Sequence, residues 1–168
     1  QAGIWGIRQA DGYTLSIEVL QPVDPIQPSS TSLRFSPADD SDVYTLGELL
    51  TGIAFLHTHD GWNASTRLDP LSYSTNSDGL TLETLTVYRV LAYQMQGSYP
   101  QAEQVAADAI RQQPRNARLH LLYGQSLMGS GKYAQTIEAA TDALKYDPDL
   151  IEAYVLRGMA YTNLNKYS

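Results

Sequence analysis

Cysteine is absent from this chain. The absence excludes disulfide staples, thiol nucleophiles and cysteine-based metal sites, and it fits a reducing or an oxidising compartment equally, so the localisation stays unknown. Long apolar runs are missing too. None approaches the roughly 18 residues of a membrane span, so the chain is read as soluble, with no membrane insertion. Positive charge is scarce: eleven Lys and Arg stand against eighteen Asp and Glu, a net charge of −7. Residues 1–77 hold nine acids against three bases, and residues 78–168 hold nine against eight. Such a balance offers little to a phosphate backbone, because it releases few counterions, so nucleic acid is not an expected partner. The acidic half reads as a solvated surface. A Gly-rich phosphate loop is missing, and no Ser stands in a Gly-x-Ser-x-Gly elbow. The expectation is a protein that is no enzyme and uses no cofactor. The weak candidates for metal are His57 and His59, in His57-Thr58-His59-Asp60. A His-x-His pair with a carboxylate can hold a metal, but two His at a helix end favoured by the dipole make the same pattern.

The 168 residues are 43 % apolar, enough to build a real core. The chain starts at Gln1 rather than Met, which points to a processed or excised piece. An N-terminal segment is expected over 1–79, opening with a β-hairpin over 4–20. There Ile4-Trp5-Gly6-Ile7 and the alternating run Tyr13 to Leu20 flank Gln9-Ala10-Asp11-Gly12. Residues 21–37 read as a Pro-rich linker. Pro22, Pro25 and Pro28 keep the three-residue period of polyproline II, which serves as a stiff spacer or as a ligand for an aromatic groove. Asp39-Asp40-Ser41-Asp42 then opens a helix over about 43–57, with Leu46, Leu49, Leu50, Ile53 and Leu56 at helical spacing. Residues 58–79, rich in Gly, Asn, Ser, Asp and Pro, read as a loop. Within it Asn63-Ala64-Ser65 fits a glycosylation sequon.

From residue 80 onward the pattern repeats every 34 residues. Gly97 recurs as Gly131 and Asn165, Tyr99 as Tyr133 and Tyr167, Ala109 as Ala143, Pro114 as Pro148, and Gly124 as Gly158. Gly and Asn tolerate positive φ most readily, so the Gly97, Gly131, Asn165 series marks a recurring turn. The periodicity predicts helices over about 80–96, 100–112, 116–129, 133–146 and 151–164. Ala102, Ala106 and Ala109 share one helix stripe, as do Thr136, Ala140 and Ala143. Small side chains there let two helices approach closely.

Residues 80–168 resemble the tetratricopeptide repeat (TPR) family. The unit 117–150 carries Tyr123-Gly124, Leu127, Gly131, Tyr133, Thr136, Ala140, Ala143, Leu144 and Pro148 in register with the family pattern. The unit 83–116 carries Tyr93, Gly97, Tyr99, Ala102, Ala106, Ala109 and Pro114, but has Arg89-Val90 where an apolar-Gly pair belongs. A partial unit, 151–168, follows with Tyr154, Gly158, Tyr161 and Tyr167. The resemblance implies a mainly α fold of stacked antiparallel helical hairpins, an α-solenoid, beside a small β-containing N-terminal region. It also implies that ligands lie in a concave groove lined by the first helix of each pair. Carried over by position, that groove holds Val87, Leu91, Gln94, Met95, Arg118, Leu121, Gln125, Met128, Val155 and Met159. It lacks the Lys and Asn that some members use to clamp a terminal carboxylate. All three Met of the chain fall on it, and Met suits a groove that adapts to an apolar partner.

The resulting expectation is a non-catalytic scaffold or adaptor that buries an apolar peptide or helix in this groove. Val87, Leu91, Leu121, Met128, Val155 and Met159 would anchor it, and Gln94, Gln125 and Arg118 would fix its register. The N-terminal half is the alternative cover for the same surface. A self-assembling homodimer is a second expectation, since Tyr154, Tyr161 and Leu164 would face a missing neighbour. A third is a regulatory tail of a larger protein. Ser41-Asp42-Val43-Tyr44-Thr45-Leu46-Gly47 looks like the stretch that opens a late helix of protein kinase domains, although no kinase nucleotide or catalytic loop precedes it.

Overall fold

The computed structural model describes residues 2–9, 12–19, 32–35, 40–71 and 82–167. Three strands come first: β1 (Ala2–Gln9), β2 (Gly12–Val19) and β3 (Ser32–Phe35). They form an antiparallel sheet in the order β1-β2-β3. Ile4 pairs with Ile17, and Gln9 pairs with Gly12, so the expected hairpin is present and Gly12 already belongs to β2. Positions 10 and 11 of the expected turn lie outside the described residues. The third strand corrects the linker reading of 21–37. Leu15 pairs with Leu33, and Tyr13 with Phe35. The Pro ladder dominated the composition of that stretch, whereas the short Ser32-Leu33-Arg34-Phe35 alternation gains its strand character from the free edge of β2.

Among the described residues seven helices follow: α1 (Asp40–His57), α2 (Gly61–Leu68), α3 (Leu82–Met95), α4 (Tyr99–Gln112), α5 (Ala117–Gly129), α6 (Tyr133–Tyr146) and α7 (Ile151–Tyr167). The last five match the helices expected from the repeat. Among the described residues, none of the helices is long and apolar enough to cross a membrane. Contacts among the described residues run strand to strand and helix to helix.

The helix missed in sequence is α2, which occupies part of the expected loop 58–79. Asp60 caps it: its Oδ1 accepts the Asn63 N–H at 3.1 Å. Ala64 and Leu68 are fully buried, and Pro70 prevents a longer helix by removing an N–H and crowding residue 69. The sequon lies inside this helix: Ser65 is buried, and its Oγ accepts from Gln96 Nε2 at 2.9 Å.

With α2 in place, α1 and α2 form a helical hairpin of the same build as α3–α4 and α5–α6. Each hairpin turn is closed by one equivalent bond. The N–H of Asp60 donates to Phe55 O at 2.9 Å, that of Ser98 to Tyr93 O at 2.8 Å, and that of Lys132 to Leu127 O at 2.9 Å. The residue before each donor has positive φ: His59 at 58°, Gly97 at 70° and Gly131 at 74°. His59 is therefore the first member of the turn series. Asn165, expected as its last member, lies inside α7, which runs on to Tyr167. Asn is permitted positive φ but not compelled to it, and the helical ladder prevails. The stretch resembling a kinase helix forms the first turns of α1.

Three clusters hold the stack together, each spanning consecutive helices. Leu49, Ile53 and Leu56 of α1 meet Ala64 and Leu68 of α2 and Leu85 and Ala92 of α3. Val87 and Val90 of α3 meet Ala102, Ala106 and Ala109 of α4 and Leu119 and Leu122 of α5. Leu121 of α5 meets Ala140, Ala143 and Leu144 of α6 and Ala153 and Leu156 of α7. Both alanine stripes lie in these interfaces, as the close approach of small side chains requires. Gly124 marks the tightest point of the third: a Cβ there would lie 2.9 Å from Leu156 and 3.4 Å from Ala139.

Candidate functional site

The first helices of the pairs, α1, α3, α5 and α7, touch one another in order and form an inner row. The residues carried over as a groove lie along this row with very different accessibility. Val87 and Leu121 are only 9 % and 4 % exposed and belong to the second and third clusters. They are packing residues, not free anchors, because the adjoining helices already fill the space against them. Leu91 and Met95 are half-buried against the α1–α2 cluster, so the N-terminal helical pair covers that end. Met128 is half-buried against the third cluster, with Asn163 Nδ2 4.0 Å from its sulfur. Val155 and Met159 on α7 are 56 % and 52 % exposed. The surface is thus closed at α3 and open at α7.

The polar residues of the row are partly committed. Gln94 Nε2 donates to Ser126 Oγ at 3.3 Å, and that hydroxyl donates to Leu122 O at 3.0 Å. Arg118 Nε stands 3.7 Å from Glu83 Oε1, and Asn116 Nδ2 donates to Glu83 Oε2 at 2.8 Å. This polar knot joins the start of α3 to the start of α5. Gln125 differs: its Oε1 is buried and accepts no hydrogen bond among the described groups. An orphaned acceptor carries a cost that a donor would relieve.

A polar cluster that the sequence did not suggest explains the departure at Arg89-Val90. Arg89 Nε donates to Asp69 Oδ1 at 3.2 Å and its Nη2 donates to Asp69 O at 2.6 Å. The Tyr93 hydroxyl donates to Asp69 Oδ2. Burial first, then the bond to the Asp69 carboxylate, pushes the Tyr93 hydroxyl up to about 12. Arg89 stands where the family pattern wants an apolar residue because it ties the end of α2 to α3. Asp69 gives no hint of this role in sequence, since the contact spans 20 residues.

The weak metal candidates separate on different grounds. His57 lies in the last turn of α1 and is half-buried; burial is the main cause that lowers its pKa, and the neighbouring His59 adds a smaller part. His59 is exposed in the turn, and the Asp60 carboxylate accepts from the Asn63 backbone and side chain. Among the described residues, no three His, Asp or Glu side chains gather as a metal site.

Stacked antiparallel helix pairs joined by tight turns, with an inner row of first helices, define a helical-repeat fold. Solved structures place it among TPR domains. The chain is similar to the TPR domain of Sgt2 from Aspergillus fumigatus, at TM-score 0.62 and 13 % identity, over 73 % of this chain and 80 % of that one. It is similar to the first TPR domain of human RPAP3, at TM-score 0.61 and 15 % identity, over 73 % and 94 %. It is also similar to the TPR2B domain of yeast Sti1, solved as a complex with pHsp70, at TM-score 0.59 and 18 % identity, over 71 % and 98 %. Residues 82–167 are about half of the chain, so these likenesses reach back beyond α3. The fold is that of a TPR domain. No family model and no curated protein matches the sequence.

Proposed function

We propose that this chain is a non-catalytic protein–protein interaction module, a scaffold or adaptor that takes an apolar peptide or helix along the inner row. The observation that carries the reading is the uncharged path from half-buried Leu91, Met95 and Met128 to exposed Val155 and Met159. Support by analogy comes from two structure neighbours. Yeast Sti1 TPR2B was solved with pHsp70, and the second TPR domain of human RPAP3 with an HSP70 peptide. Val87, Leu91, Leu121 and Val155 stand where a carboxylate clamp needs Lys and Asn, so an internal apolar segment is the preferred ligand, not a charged chain end. A few apolar anchors at about 25 cal/mol per Å² give modest affinity once association costs are subtracted.

The test is selection of displayed peptides on the full chain, followed by calorimetry on the enriched sequence. Expected are peptides with spaced apolar residues, bound about tenfold more weakly by Met128→Asp. Failure to enrich any peptide, or equal binding by Met128→Asp, overturns the reading.

A further inference from the structure

Cysteine is absent and there are three Met, so sulfur enters this chain at Met95, Met128 and Met159 alone. All three lie on inner-row helices: Met95 on α3, Met128 on α5 and Met159 on α7. What faces each sulfur differs. Asn163 Nδ2 lies 4.0 Å from the Met128 sulfur. Among the described residues, no hydrogen-bond donor reaches the sulfur of Met95 or Met159.

Asn163 is fixed in this position. Its amide nitrogen also donates to Met159 O at 3.0 Å, one turn back on α7. The amide carries two N–H groups, one for each contact. Position 163 departs from the repeat: its counterparts in the two preceding units are Gly129 and Met95, whose side chains carry no donor. A thioether is a weak acceptor, so the contact adds little to the fold. A sulfoxide oxygen accepts far better. Projecting from the sulfur on the side of Asn163, it falls within hydrogen-bond reach of Nδ2.

We propose that Met128 is a reversible oxidation site, at which a hydroperoxide converts the thioether to a sulfoxide whose oxygen bonds to Asn163. A sulfur lone pair attacks one peroxide oxygen, and the S–O bond forms as the O–O bond breaks. With hydrogen peroxide, the transferred oxygen loses its proton and the departing hydroxide leaves as water. Sulfur loses two electrons and the peroxide gains them. A dithiol-dependent reductase reverses the step: the oxygen leaves as water while two thiols become a disulfide. Met128 lies midway along the uncharged path, half-buried against the third cluster. A sulfoxide there sets a strong dipole in an apolar surface, and an apolar partner is released. This consequence rests on the groove reading; the oxidation site does not.

The test uses the full chain carrying Met95→Leu and Met159→Leu, volume-conserving changes that leave Met128 as its one sulfur. Hydrogen peroxide is expected to add a single oxygen, assigned to Met128 by peptide mass mapping. Methionine sulfoxide reductase with a dithiol should remove it. The Asn163 side-chain amide proton should shift downfield on oxidation and return on reduction. With Met128→Leu added, the same peroxide should leave that resonance in place. Peptides enriched on the chain should bind about tenfold more weakly after oxidation and recover on reduction. No oxygen at Met128, or an Asn163 resonance indifferent to it, overturns the site. A peptide affinity that full oxidation leaves unchanged overturns the release. If no peptide is enriched, the groove reading falls, while mass and resonance still decide the site.

Discussion

Two residues that break the repeat pattern show what the fold asks of single positions. His59 occupies a turn that Gly takes in the next two hairpins, at φ 58° against 70° and 74°. Its Cβ costs about 1–2 kcal/mol in that conformation. His59→Gly should therefore stabilise the chain by about 1 kcal/mol, read as a higher urea midpoint, even though glycine also loosens the unfolded chain. Gly131→Ala should do the reverse by a similar amount. At Gly124 the constraint is space, not φ. Gly124→Val forces atoms against Leu156 and Ala139 and is expected to cost about 1–3 kcal/mol in the same assay. Tyr93 supplies a pH signature. Its folded pKa, about 12, lies above the ordinary value of 10, so the neutral hydroxyl is the form the fold favours. The stabilisation is complete below pH 10 and is lost as pH rises from 10 through 12. Melting temperature should fall across that window, and Tyr93→Phe should flatten the fall.

At the scale of the element, the sequence was legible where periodicity, turn residues and closing prolines agreed. Helices α3 to α7 carry the 34-residue period, with Gly97 and Gly131 at the turns after α3 and α5 and Pro114 and Pro148 closing α4 and α6, and the alternation of Ile4 to Ile7 and Tyr13 to Val19 revealed the hairpin. Helix α2 has a closing proline, Pro70, but neither the apolar period nor a glycine turn. Gly61, Asn63, Ser65 and Pro70 have loop composition, and only two fully buried apolar side chains, Ala64 and Leu68, hold it in place. One signal was present: Leu49-Leu50-Thr51-Gly52 matches Leu121-Leu122-Tyr123-Gly124, and His59 precedes Asp60 as Gly131 precedes Lys132. The offset is 72 residues, not twice 34, because four extra residues fall between the first and second turns. A search at fixed period passes over it. So short a helix depends on its cap, so Asp60→Ala should lower stability by about 1 kcal/mol and raise amide exchange first in residues 61–68.

For the whole molecule, stability is nearly a sum over neighbouring hairpins, because each cluster joins only consecutive helices. Of the candidate groove, position in the repeat gives only the helix on which each residue falls; the burial of Val87 and Leu121 depends on helices distant in sequence and makes them packing residues. Truncation in the central cluster should be the most costly, since it loosens α3, α4 and α5 together. Leu119→Ala, at a fully buried position, should cost about 2–5 kcal/mol in chemical denaturation.

Asp69 has a mechanical consequence. Drawn apart from its two ends, a row of hairpins yields one at a time, starting where the fewest ties resist. The shortest pair would give way first on burial alone, but its trailing end is fastened to α3 by Arg89 and Tyr93. Under tension that rivet carries load across the joint, so the opening pair and its neighbour should rupture as one step, and should separate into two once the rivet is cut.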